Sequence, residues 1–135
     1  MHAIKFQEGR KYKLYGNHYS MLLPRTMTDR IESEYVRVHK GSKTPKHVHK
    51  DLEQVYIILR GNALLEIDNA KKKVSKGMIA YIPRNAEHRI TALGNLEYIY
   101  ISCWYRKVAP SRTENELRAY EKKLLDGEKN GKRKN

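Results

Sequence analysis

Three histidines in two short blocks carry the clearest chemical signal in this chain. His47 and His49 stand one residue apart in GSKTPKHVHKDLEQVYIILRG, and His88 lies in GMIAYIPRNAEHRIT. In an extended segment, side chains at i and i+2 leave the same face, so two imidazoles converge on one point. A third imidazole from a second strand would give the start of a metal site. Imidazole suits zinc, copper, iron and nickel, so the donor type alone does not choose among them. Without an ion, three imidazoles brought into one barrel would be buried polar groups in need of other partners. His2, His18 and His39 are isolated in sequence and read as surface or packing residues.

Strands must position these side chains. From residue 33 onward the chain reads as β-like segments at roughly 33–39, 46–49, 54–60, 62–68, 71–75, 78–82, 87–92 and 96–104, with turn residues such as Lys40-Gly41-Ser42, Asp68-Asn69-Ala70 and Pro83-Arg84-Asn85 between them. Short strands at this spacing, rich in Val, Ile and Tyr, predict an all-β sandwich or barrel. Residues 1–30 read as short strands or an arm. QVYIILR and LEYIYISCW are apolar on both faces, so they are central strands or are covered by a second subunit, which predicts a homodimer. After Pro110 the spacing of Leu117, Tyr120, Leu124 and Leu125 predicts a helix stopped by Gly127, and EKNGKRKN reads as a disordered basic end. The expected organisation is an arm over 1–30, a barrel over 31–108, and a helical, basic tail over 109–135.

With 135 residues the chain is most simply one domain. It has no apolar run long enough to span a bilayer, and its first residues have no signal-peptide core. The single cysteine, Cys103, forms no disulfide within the chain and reads as an inert core thiol; the expected compartment is the cytoplasm. The net charge is +13. Residues 106–135 hold ten Lys/Arg against five Asp/Glu, so most of the excess belongs to the body. That field suits nucleic acid, an acidic partner, an anionic small molecule or simple solubility. No helix-turn-helix block is visible, so a nucleic-acid partner is not expected.

The two histidine blocks resemble the two motifs of the cupin superfamily. The first runs Gly41, five residues, His47-Val48-His49, four residues, Gln54, six residues, Gly61; the second runs Gly77, five residues, Pro83-Arg84-Asn85, two residues, His88, three residues, Ala92. The resemblance implies a cupin-type jelly-roll β-barrel, or double-stranded β-helix. Asn85 stands where the family has glycine, and Asn tolerates the left-handed backbone a turn glycine supplies. Ala92 replaces the closing asparagine. Gln54 occupies the position of the usual metal-binding glutamate, and Glu53 precedes it. Strand alternation and the six-residue spacing to Gly61 favour Gln54 facing inward, with Glu53 facing out unless a bulge swaps them.

The implied cofactor is one divalent transition metal ion (iron, manganese, zinc, nickel, cobalt or copper) held by His47, His49, Gln54 and His88. Tyr56 and Ile58 share the face of Gln54, and Ile90 that of His88. Either Met78, Ala80 and Ile82 or Ile79 and Tyr81 face inward. Tyr98, Tyr100 and Trp104 share one face of the last strand. Tyr56, Tyr98 and Tyr100 are candidate substrate contacts, and Arg37 and Arg89 are candidates for holding an anionic group. The function implied is a metal-dependent oxygenase, decarboxylase or isomerase on a small anionic molecule. The alternative is a metal- and ligand-binding or sensing module without turnover.

Overall fold

Nine strands build the body of the protein in a computed structural model that describes residues 1–24, 26–105 and 122. They are β1 (Arg10–Leu14), β2 (Asn17–Leu23), β3 (Ile31–Val38), β4 (Leu52–Arg60), β5 (Asn62–Ile67), β6 (Ala70–Ser75), β7 (Ile79–Ile82), β8 (His88–Ala92) and β9 (Leu96–Trp104), preceded by a 3-10 turn over Phe6–Glu8. One sheet has six strands in the order β1-β2-β3-β9-β4-β7, and a second has three in the order β6-β5-β8. Every pairing is antiparallel. The predicted all-β jelly roll is therefore present. The predicted C-terminal helix and basic tail lie outside the described residues.

Alternation sorts each strand into an inner and an outer face. Across the large sheet, Val36, Tyr98 and Ile58 form one inner row, Glu34, Tyr100, Tyr56 and Ala80 a second, and Glu32, Ser102, Gln54 and Ile82 a third. Ala63, Leu65, Val74, Ile90 and Ala92 answer from the small sheet, and these side chains form one core. Of the two alternatives for residues 78–82, Ile82 is buried, with Ala80 and Met78 packed on the core. The strands apolar on both faces are central, β9 lying between β3 and β4.

Of the two forms expected for residues 1–30, short strands are present: residues 10–23 are a hairpin continuing the large sheet. Two expectations differ from what is observed. Residues 46–49 form no strand. The segment runs beside β8, bonding Ala92, Ile90 and His88, but only as isolated bridges Lys43–Thr91 and His47–His88. Pro45 has no N–H to offer, and four steps along this segment oppose three along β8, so one extra residue bulges there. Cys103 is exposed on the outer face, since Ser102 and Trp104 take the inner positions.

The two sheets end differently. The free edge of the small sheet is β6, where Lys71, Lys72 and Lys73 are exposed in succession. The outer face of the large sheet is apolar around Ile57, Ile79, Ile99, Ile101 and Tyr81, which are neighbours in register.

Candidate metal centre

His47 and His49 come from the bulged segment and His88 from the start of β8. Their candidate ligand atoms all lie within 4.8 Å of one another. Ring centroids are 4.1 Å apart for His47 and His88, 4.8 Å for His47 and His49, and 5.2 Å for His49 and His88. Metal–nitrogen bonds of about 2.1 Å need only a modest contraction of such a cluster.

Backbone carbonyls set the orientation of two rings. His47 Nδ1 donates to Pro45 O at 2.8 Å, and His88 Nδ1 donates to Ala86 O at 3.0 Å. A carbonyl only accepts, so the proton sits on Nδ1 and the lone pair on Nε2. The Nε2 atom of His88, a residue 2% exposed, has no hydrogen-bond partner. Burial, and then the neighbouring His47, push its pKa down to about 3; burial also lowers His47. Both imidazoles are therefore neutral near pH 7, the form that ligates a metal.

Gln54 faces inward, in register with Ser102 and Ile82. Its Nε2 donates to Ser102 Oγ at 3.0 Å, and its buried Oε1 has no hydrogen-bond partner. Glu53 faces out, accepting from Tyr81 at 2.7 Å and Tyr105 at 3.0 Å. The predicted parity holds without a bulge at this point; the irregularity of β4 falls between Ile58 and Arg60. Asn85 adopts φ 70°, and its N–H donates to His49 O at 2.8 Å, so the left-handed turn that joins β7 to His88 also ties down the first motif. Orphaned oxygen and nitrogen acceptors beside three histidines are the donor set a divalent transition ion takes.

A cavity of about 90 Å³ adjoins the cluster, lined among others by His47, His49, Gln54, Tyr56, Tyr98 and Tyr100. The tyrosines stack or tilt against one another, Tyr56 and Tyr98 at 5.1 Å and Tyr56 and Tyr100 at 6.1 Å, and Tyr56 lies edge-on to His88 at 6.5 Å. The two arginines are elsewhere. Arg37 is exposed on the outer face beside Val36, and Arg89 turns away from His88, its Nε donating to Thr44 O at 2.9 Å. Neither guanidinium is among the cavity's described lining residues, because each holds the parity opposite to the inner face.

Two carboxylates escaped the sequence reading. Glu32 lines the cavity, and Glu34, 1% exposed, accepts hydrogen bonds from the hydroxyls of Tyr12 and Tyr100. Burial, followed by the Glu34 charge, raises the pKa of Tyr12 and Tyr100, so both phenols stay protonated. Alternation in IESEYVRV puts Glu32 and Glu34 on the face of Val36 and Val38, which was the available signal.

Known proteins resemble the chain as follows. A family profile described as "Cupin domain" matches residues 34–102. The uncharacterized protein MJ1618 of Methanocaldococcus jannaschii is 39% identical over 74 residues, 55% of this chain and 59% of that protein, so the chain spans about three-fifths of its relative's length. An RmlC-like cupin from Shewanella frigidimarina has a TM-score of 0.69 at 17% identity, over 78% of this chain and 93% of its own. A protein described as a predicted oxalate decarboxylase, from Thermotoga maritima, also gives 0.69 at 17%, over 76% of this chain and 98% of its own. Likeness at this identity concerns the fold.

Proposed function

The chain belongs to the cupin family, and from that premise we propose that it holds one divalent transition metal ion and acts there on a small organic acid. His47, His49 and His88 supply three nitrogens and Gln54 an oxygen. The observation that carries this reading is the pair of orphaned buried acceptors, His88 Nε2 and Gln54 Oε1, at the histidine cluster. Leaving such groups unsatisfied costs about 1–3 kcal/mol each, which an ion would relieve. When bound, the ion acts as a Lewis acid toward substrate oxygens, and four neutral ligands leave its charge undiminished for an anion.

Size narrows the substrate. At about 90 Å³ the cavity is far below the range of drug-sized sites, which suits an acid of a few heavy atoms. The likeness to a predicted oxalate decarboxylase agrees with that size class. Tyr100 lines the cavity with its hydroxyl donated to Glu34, which also holds Tyr12, so the phenol oxygen is fixed in place as an acceptor for a substrate hydroxyl. Tyr56 and Tyr98 close the wall and exclude water.

Metal analysis of untagged protein tests the reading. Wild type is expected to carry near-stoichiometric metal and the His47→Ala/His49→Ala variant almost none; equal content would refute the site. Tyr100→Phe should keep the metal and lose about tenfold in turnover of a two- to four-carbon acid, the worth of one hydrogen bond to substrate. Metal without turnover on any such acid would leave a binding module. We also propose a homodimer formed through the β9-β4-β7 end of the outer face of the large sheet, on the support of Ile79 and Tyr81 at 69% and 56% exposed, and a cytoplasmic location that keeps the exposed Cys103 reduced.

A further inference from the structure

Lys13, His18 and Arg37 stand opposite one another on β1, β2 and β3, in register across the outer face of the large sheet. Lys13 and Arg37 thus flank His18 on either side, two cations two strands apart in one row. The row continues to Glu97 on β9, but that carboxylate already accepts from the Tyr35 hydroxyl and pairs with Arg60 at 3.5 Å. Lys11 occupies the next row, opposite Ser20 and then Tyr35. The His39 ring lies 5.7 Å from that of His18. Together these flank a groove of about 720 Å³ whose described lining includes Lys11, Lys13, His18 and Arg37 and no carboxylate. Burial, and then the charges of Lys13, Arg37 and His39, lower the pKa of His18, so its ring is a neutral N–H donor among cations.

We propose that this groove is an anion site for an organic diphosphate, separate from the metal centre. Strands are spaced by about 4.8 Å, so the line from Lys13 through His18 to Arg37 spans roughly 10 Å. One carboxylate neutralises a single point on such a line, whereas two linked phosphates reach along it. Arg37 offers a bidentate fork to one phosphate, and Lys13 a point charge to the other. The groove lies within the range of small-molecule sites, about 300–1,000 Å³, and exceeds what a bare diphosphate fills. The space beside Tyr35 and Gln7 takes the organic part. Arg37 is five residues along β3 from Glu32, roughly 16 Å, and on the opposite face, so a ligand here does not touch the histidine cluster. The proposal stands whether or not a metal is bound.

Titration calorimetry of the full chain with inorganic pyrophosphate tests it. One saturable site is expected at sub-millimolar affinity, with a nucleoside diphosphate binding more tightly than pyrophosphate. Lys13→Gln with Arg37→Gln, both exposed side chains, should weaken binding at least about tenfold. The triple change Lys71→Gln, Lys72→Gln, Lys73→Gln on β6 should leave it unchanged, as should His47→Ala/His49→Ala. Failure to saturate at millimolar pyrophosphate would overturn the site. An equal loss in the β6 triple variant would reduce it to a diffuse basic field. Loss in the histidine variant would move the anion onto the metal. A single-stranded oligonucleotide that outcompetes the nucleoside diphosphate would replace the small ligand with a nucleic acid, against the proposal.

Discussion

Gln54 sets the charge of the candidate centre. Its amide is oriented by Ser102 so that Oε1 is left for the cluster, and it brings no negative charge to offset an ion. Gln54→Glu is expected to tighten metal binding by about tenfold or more, read by competition with a chelator, since a carboxylate adds Coulomb attraction in a buried site. Glu53→Gln, on the outer face, should change nothing. If the two variants respond alike, Gln54 does not face the ion. Strand parity makes this assignment legible in the sequence, as it does for Tyr56, Tyr98 and Tyr100. The same parity turns Arg37 and Arg89 away from the inner face and Glu34 toward it, against what their chemistry alone suggests. A carboxylate in a core row is improbable until two phenols are seen to donate to it, and those phenols come from strands distant in sequence.

At the scale of elements, turns hold the two motifs in place, and they are not equally tolerant. Gly61 joins β4 to β5 with φ 82°, and a Cβ there would lie 2.1 Å from the backbone oxygen of Asn95. Gly77 has φ 87° but open space around it. Gly77→Ala should cost about 1–2 kcal/mol for the left-handed backbone alone. Gly61→Ala should cost distinctly more, because backbone atoms must also move. Urea midpoints measure both, and equal losses would show that conformation outweighs contact. The strands and most turns were legible because apolar alternation and turn residues coincide there. Residues 46–49 were misjudged as regular strand because periodicity does not register a missing N–H: Pro45 and the bulge beside it are pairing events with β8, outside the reach of local pattern. The same bulge aims His47 at His88.

The whole molecule carries its tyrosines as a shared liability at high pH. Burial raises the pKa of Tyr12, Tyr19, Tyr98 and Tyr100 above the ordinary value of 10.0. Above about pH 10 the unfolded chain releases these protons and the folded chain keeps them, so stability is intact below that point and falls as pH rises, by up to about 1.4 kcal/mol per pH unit for each phenol. The exposed tyrosines should ionise first, and the tyrosinate absorbance of the buried ones should then appear together with the loss of β circular dichroism. Ionisation of all ten tyrosines with the β signal intact would contradict this. Association is tested on the same scale. Ile79→Lys with Ile101→Lys should convert a dimer into a monomer by light scattering, and a wild-type monomer would remove the dimer. The lysines of β6 bear on what kind of association is open to the chain. Three cations along the free edge of the small sheet deter a neighbouring strand from adding there. A homodimer through the face proposed above would close at two copies by its own symmetry, and the small sheet would offer no edge from which to extend it.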